Sequence, residues 1–92
     1  MKFRKIKHIH FVGIGGIGMS GIAELLLNLG FDVSGSDISN NENVVRLKKL
    51  GVLIFHGHNP ENIKNCDVLV FSSAVSLTNC EIIKAKQLGL PV

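Results

Sequence analysis

The feature that most constrains this chain is a glycine-rich turn between a short apolar run and a segment with helical periodicity. The apolar run covers Ile9 to Val12, and the turn has glycines at 13, 15 and 18 in the spacing G-x-G-x-x-G, with a further glycine at 16. The periodic segment follows from Met19 to Leu29. A strand, a glycine turn and a helix in this order form the context in which such a motif binds nucleotide phosphates.

Each glycine of the spacing has an expected task. Gly13 would allow a tight turn off the strand, Gly15 would let the backbone approach a phosphate, and Gly18 would let the helix pack closely on the strand. The first N–H groups of the helix and the positive end of its dipole would then face the bound anion. The sequence therefore predicts a site for a phosphorylated ligand, with a purely structural turn as the alternative.

A second kind of phosphate loop, G-x-x-x-x-G-K-[ST], fits these residues only in part. Gly13, Gly18 and Ser20 occupy its positions, but Met19 stands where that loop needs a lysine. Without the ammonium group, the β- and γ-phosphates of ATP lose their main counter-charge. We therefore expect no ATP hydrolysis at this loop.

Composition limits the chain to one small globular domain. It has 92 residues, 46% of them apolar and 18% charged, with a formal net charge of +3. This mild positive charge suits a small anionic ligand, and no basic patch with interleaved aromatic residues indicates a nucleic acid partner. No run has the length of a membrane span, and no signal peptide is evident. Cys66 and Cys80 form no C-x-x-C motif and are expected to be reduced thiols in the cytoplasm.

Strand and helix signals alternate along the rest of the chain. Further strands are predicted at 31–37, 52–55 and 67–71, with helical segments between them. A leucine-glycine pair precedes a strand start at 29, 50 and 88, and the last pair predicts a fifth strand and a chain cut from a longer protein. The pattern predicts an α/β fold, a Rossmann-like parallel sheet in the order 3-2-1-4-5 with helices on both faces.

Two capping boxes predict where the second and the last helix begin. Ser39 would cap the second helix with Glu42, and Thr78 would cap the last helix with Glu81. In both boxes the acidic side chain would return to the backbone of the capping residue.

Ligands of such a sheet lie outside the carboxyl ends of the strands, where the strand order reverses between strands 1 and 4. Asp37 stands where a dinucleotide-binding fold has the acid that binds a ribose hydroxyl, or it is only an acid near the start of the second helix. His8 and His10 lead into strand 1 and are expected to be structural. The other candidates at the carboxyl edge are Ser36, His56, His58, Ser72 and Ser73.

No catalytic machinery is evident in the sequence. There is no nucleophile–base pair, and no two carboxylates are paired in a recognisable role. His56 and His58 have the i, i+2 spacing that shares one face of a strand, but a metal site needs more ligands. We therefore predict no catalytic residue and no metal site.

The chain resembles the N-terminal domain of the Mur ligase family, with the clearest match at Gly13 to Gly30. The continuation Met19 to Ala23 is the most specific part and is typical of UDP-N-acetylmuramate–L-alanine ligases. Murein-peptide ligases of the same family differ in this loop and rank second. The match covers nearly all of residues 6–92, with shorter motifs at Val33 to Asp37, Gly57 with His58, and Ser72 to Ala74.

The resemblance implies a cytoplasmic enzyme of peptidoglycan precursor synthesis. Such ligases use ATP and Mg²⁺ to activate the carboxylate of UDP-N-acetylmuramate as an acyl phosphate, which the amine of L-alanine attacks. Residues 1–92 would be a single nucleotide-sugar-binding domain without the ATP-binding and amino-acid domains, inactive alone and with no cofactor of its own. By motif match, the residues around the UDP moiety would be Gly15, Gly16, Ile17, Gly18, Ser36, Asp37, His58, Ser72 and Ser73.

Two other interpretations stay open at this point. The same glycine spacing and the same Asp37 would serve an NAD(P)-binding domain of a dehydrogenase or of a ligand-sensing regulator. An interaction domain with an empty glycine loop is the third possibility. The glycine loop alone does not distinguish a UDP-sugar from NAD, because both carry a diphosphate.

Overall fold

The sheet and its helices follow the predicted alternation in the computed structural model, which describes residues 6–92. None of the helices in this part of the chain has the length and apolar character needed to cross a membrane. In chain order the elements are β1 His8–Val12, α1 Met19–Asn28, β2 Asp32–Asp37, α2 Glu42–Leu50, β3 Leu53–His56, a 3₁₀ turn Pro60–Ile63, β4 Val68–Phe71 and α3 Cys80–Gln87.

The four strands are parallel and lie in the order β3-β2-β1-β4. This arrangement confirms the Rossmann-like class and the first four positions of the predicted order. The predicted fifth strand is not formed within the described residues. Instead, the N–H of Leu69 donates to the carbonyl of Pro91 at 2.9 Å, so the last residues lie beside β4 where that strand was expected.

Alternate residues of the strands enter two separate cores. Ile9 and Phe11 pack with residues of α1 and α2 on one face of the sheet. Val12 packs on the other face with Leu69 of β4 and Ile82 of α3. The sheet is therefore covered on both sides, as a parallel sheet requires.

Both capping-box predictions are wrong. The caps are the asparagines that directly precede the helices: Asn41 accepts from the N–H of Val44 at 3.0 Å, and Asn79 accepts from the N–H of Glu81 at 2.9 Å. Asparagine is at least as good a cap as serine or threonine, and here it stands nearer to the helix. The Glu81 side chain does not return to the cap but turns into the protein interior.

The two cysteines are free thiols. Cys66 is buried, and burial, followed by the nearby negative charge of Asp67, raises the pKa of its thiol to about 11. A thiol with such a pKa stays protonated near neutral pH, which makes it a poor nucleophile.

We expect opposite effects of alanine at two glycines that differ in their surroundings. A Cβ at Gly35 would lie 2.6 Å from the Cβ of Ile14, whereas a Cβ at Gly21, within α1, would meet nothing within 4 Å. Gly35→Ala should lower the free energy of unfolding by about 1–3 kcal/mol, because Ile14 must move. Gly21→Ala should raise it by about 0.5–1 kcal/mol. Urea unfolding followed by circular dichroism measures both, and equal stabilities would contradict this packing.

Candidate functional site

The glycine turn is anchored to the end of β2 by backbone hydrogen bonds. The N–H groups of Gly13 and Ile14 both donate to the carbonyl of Ser36, at 2.8 and 3.1 Å. Gly13 has a φ of 78°, and its carbonyl accepts a hydrogen bond from the N–H of Gly16 at 3.0 Å, which closes the turn. The predicted role of Gly13 in a tight turn is thus confirmed.

Asp37 holds the glycine loop from the α2 side of the sheet. One carboxylate oxygen accepts from the N–H of Gly15 at 2.8 Å, and the other accepts from the N–H of Ser39 at 2.9 Å. A Cβ at Gly15 would lie 2.6 Å from Cγ2 of Val44 and 2.9 Å from the Asp37 carboxylate. Glycine is therefore needed at position 15 by the packing of the loop against α2, whatever ligand lies above it.

No side chain among the described residues caps the first turn of α1. Its N-cap is Gly18, whereas α2 and α3 each have an asparagine cap and a glutamate in the first turn. Within residues 6–92, the N–H groups of Ile17, Gly18 and Met19 have no hydrogen-bond acceptor. These groups and the positive end of the helix dipole form an open position for an anion.

The expected role of Gly18 is wrong. A Cβ at this position would meet nothing within 4 Å, so the glycine does not serve close packing. Its φ of 85° explains the residue instead, because this backbone conformation strains other residues. The neighbouring Ile17 side chain is 99% exposed and projects into solvent beside the open N–H groups.

A fully buried carboxylate lies on the opposite face of the sheet. Oε1 of Glu81 accepts from Nε2 of His10 and from Oγ of Ser36, both at 2.7 Å. Oε2 accepts from the backbone N–H of Asn59 at 3.0 Å and from the amide of Asn62 at 2.8 Å. Burial acts to raise the pKa of this carboxyl, but the four hydrogen bonds outweigh it and lower the pKa to about 2.

The hydrogen bonds of Glu81 continue to both edges of the sheet. Toward the amino edge, Nδ1 of His10 pairs with Oγ of Ser34 at 2.8 Å, and Ser34 pairs with Nε2 of His8 at 2.7 Å. This arrangement agrees with the predicted structural role of both histidines. Toward the carboxyl edge, Oγ of Ser36 pairs with Nδ1 of His58 at 2.8 Å.

The structure brings most of the predicted site residues to one edge, at different depths. Ser36 is fully buried, whereas His58 reaches the surface with 21% of its side chain exposed. Ser72 and Ser73 follow β4 on the other side of β1, and their loop contacts the glycine turn, since a Cβ at Gly13 would lie 3.0 Å from Val75. The remaining members of the edge are Gly15, Gly16, Ile17, Gly18 and Asp37.

The sequence did not reveal that Glu81 is linked to the carboxyl edge, because the residue was assigned to a capping box. Its buried carboxylate reaches His58 at that edge through Ser36. A signal was available in the polar residues at inward positions of buried strands: His10, Ser34 and Ser36 need buried partners. Within residues 6–92, no group of three or more His, Cys, Asp or Glu side chains could hold a metal ion.

Residues 8–92 match the family described as "Mur ligase family, catalytic domain". The chain is 60% identical over 90 residues to a UDP-N-acetylmuramate–L-alanine ligase of Desulfatibacillum aliphaticivorans, which covers 98% of this chain and 20% of that protein. The chain therefore belongs to the Mur ligase family. It spans about a fifth of the length of the curated relatives it matches.

Solved structures give the same result for the fold. The UDP-N-acetylmuramate–alanine ligase of Thermotoga maritima superposes with a TM-score of 0.88 at 42% identity, over 95% of this chain and 20% of that one. The UDP-N-acetylmuramate:L-alanyl-γ-D-glutamyl-meso-diaminopimelate ligase of Neisseria meningitides gives 0.84 at 31% identity, over 95% of this chain and 28% of that one. The resemblance to UDP-N-acetylmuramate–L-alanine ligases is confirmed.

We expect the Glu81 carboxylate to stabilise the protein in a pH-dependent way. Since its pKa in the folded state is about 2, against an ordinary 4.5, the unfolded chain takes up the proton first as pH falls. This stabilisation, about 3 kcal/mol, is complete above pH 4.5 and is lost as pH falls toward 2. The ¹³C shift of the Glu81 carboxyl, followed from pH 6 downward, should not titrate above pH 3. A midpoint near 4.5 would contradict the role of the four hydrogen bonds.

Proposed function

We propose that residues 1–92 are the nucleotide-sugar-binding domain of a longer UDP-N-acetylmuramate–L-alanine ligase and bind the UDP end of UDP-N-acetylmuramate. The uncapped N-terminus of α1, with three open N–H groups, is the observation that carries this proposal. A diphosphate is the part of such a ligand that fits there. Support also comes from relatives that are UDP-N-acetylmuramate–L-alanine ligases.

In this proposal the diphosphate lies over Gly16 and accepts hydrogen bonds from the open N–H groups of Ile17, Gly18 and Met19. Gly15 shapes the loop, because its own N–H already donates to Asp37. The uridine lies toward the ends of β2 and β4, near Asp37, His58, Ser72 and Ser73. Ser36 takes part through His58, since its hydroxyl is buried beneath that ring.

The ligation itself would occur with other parts of the longer protein. ATP, Mg²⁺ and L-alanine would bind to the ATP-binding and amino-acid domains, in the cytoplasm. Met19, the first residue of α1, is 7% exposed and packs in the core, so the position that a lysine fills in an ATP loop faces inward here. We therefore propose that residues 1–92 alone neither hydrolyse ATP nor form an amide bond.

Thermal stability in the presence of nucleotides tests the choice between a UDP-sugar and NAD. Ligand that binds only the native state adds about 2.7 kcal/mol at a hundredfold excess over Kd. Each kcal/mol raises the Tm of a domain of this size by roughly 4–8 °C. We expect millimolar UDP-N-acetylmuramate or UDP to raise the Tm, and NAD or NADP to have little effect. A rise with NAD and none with UDP compounds would favour a dehydrogenase-type or sensor domain.

A charge placed on Ile17 tests whether the diphosphate lies at the α1 N-terminus. Because this side chain is 99% exposed, glutamate and glutamine are both expected to leave the fold intact. Ile17→Glu puts a negative charge beside the diphosphate, which at water-like screening costs about 1 kcal/mol. We expect it to weaken UDP binding roughly fivefold by calorimetry. Ile17→Gln, of equal size, is the control, and equal affinities of the two variants would contradict this placement.

A further inference from the structure

We propose that Glu81 is a positioning residue that fixes the tautomer of His58 through Ser36, and so presents Nε2 of His58 as a hydrogen-bond acceptor for uracil. The choice of uracil as ligand rests on the proposed function. The tautomer itself is a property of the free protein and does not depend on any ligand.

The direction of the hydrogen bonds starts at the carboxylate. Glu81 is surrounded by donors only: the ring N–H of His10, the amide of Asn62, the backbone N–H of Asn59 and the hydroxyl of Ser36. With a pKa of about 2 the carboxyl is ionised near neutral pH, so it has no proton to donate. The hydroxyl proton of Ser36 must therefore point at Oε1 of Glu81.

Ser36 transmits this direction to the surface. A hydroxyl has one proton, and that of Ser36 is directed at Glu81, so toward His58 the serine oxygen acts as an acceptor. Nδ1 of His58, 2.8 Å from this oxygen, must then carry a proton. The carboxylate reinforces this choice, since Oε2 of Glu81 lies 3.6 Å from the same nitrogen. In the neutral ring the lone pair is consequently on Nε2.

Nε2 of His58 is placed where it can serve a ligand. It makes no hydrogen bond to any of residues 6–92, and the ring is partly exposed at the carboxyl edge. The preceding Gly57 donates its N–H to the carbonyl of Asp37 at 2.9 Å, and the Asp37 carboxylate binds the loop at Gly15. The His58 ring therefore follows a residue, Gly57, that is hydrogen-bonded to Asp37 at the end of β2, and Asp37 also binds the glycine loop.

An acceptor of fixed polarity distinguishes the pyrimidine bases. Uracil has an N–H donor at N3, whereas cytosine has a lone pair at the same position. Nε2 as an acceptor pairs with the first and repels the second. A site that leaves a polar group without its partner rejects the wrong ligand more strongly than apolar contacts do. The buried charge of Glu81 would thus contribute to base selection without touching the base.

Nitrogen NMR of the ligand-free chain tests the tautomer directly. In ¹⁵N-labelled protein, at a pH where the ring shifts show it to be neutral, long-range ¹H–¹⁵N correlations identify the protonated nitrogen. We expect Nδ1–H for His58 in the unsubstituted chain and a weaker preference in Ser36→Ala, where only the charge of Glu81, 3.6 Å away, still favours a proton on Nδ1. Nε2–H in the unsubstituted chain would overturn the proposal, and so would an unchanged preference in Ser36→Ala.

Ser34→Ala is a matched control. Ser34 lies two residues earlier on the same face of β2, is equally buried, and pairs with His8 and His10 but not with His58. We expect it to change the ring signals of His10 and to leave the His58 tautomer unchanged. A loss of the His58 preference in Ser34→Ala would mean that general disturbance of the strand, and not Ser36, sets the tautomer. The unsubstituted chain still decides the proposal if either variant fails to fold.

Titration with UDP and CDP tests the selection of the base. We expect the unsubstituted chain to bind UDP about tenfold more tightly than CDP, and Ser36→Ala to lose most of this preference. Equal binding of UDP and CDP by the unsubstituted chain would overturn base selection while leaving the proposed function intact. No binding of UDP at all would contradict the proposed function and base selection together, and the tautomer would still decide the role of Glu81.

Discussion

The buried carboxylate of Glu81 joins α3 to two strands and to the segment around the 3₁₀ turn. An ionised group can lie in a protein interior only when donors replace the water it has lost, and leaving such a charge unpaired costs about 3–5 kcal/mol. Glu81 obtains its donors from β1, from β2 and from the segment that precedes and forms the 3₁₀ turn. These hydrogen bonds fix the position of α3 along the strands. Apolar packing alone is not directional and defines that position less strictly.

Asp37 has a similar task on the other face of the sheet. Its carboxylate takes the N–H of Gly15, while the carbonyl of Ser36 takes those of Gly13 and Ile14. The first half of the glycine loop is thus bound by the protein itself. Within the described part of the chain, only the second half, from Ile17 to Met19, has open N–H groups for an anion. Ser36 therefore serves both faces, since its carbonyl holds the loop and its hydroxyl joins Glu81 to His58.

Local patterns were sufficient to predict the strand–turn–helix unit and the order of the first four strands, because periodicity and crossover handedness act over short stretches of chain. They were insufficient at the helix starts, where an asparagine and a serine or threonine within one turn are both suitable N-caps. Which of them caps the helix depends on the exact backbone path. The inward turn of Glu81 depends on His10, 71 residues away in sequence. The glycine spacing was likewise correct as a pattern, but the reasons for Gly15 and Gly18 follow from contacts and φ angles that the spacing does not contain.

The same glycine loop can serve different nucleotides because N–H groups and a helix dipole recognise phosphate and nothing attached to it. Discrimination must then come from groups whose hydrogen-bond polarity cannot change to suit the ligand. A lone surface serine or histidine does not meet this requirement, since a hydroxyl rotates and an imidazole exchanges tautomers. An ionised carboxylate can only accept hydrogen bonds. In the proposed arrangement, the buried Ser36 donates to Glu81 and therefore accepts from the partly exposed ring of His58, which fixes the position of the ring proton. Under the proposed role of Glu81, therefore, the selectivity of the open edge depends on a charge placed where no ligand reaches it.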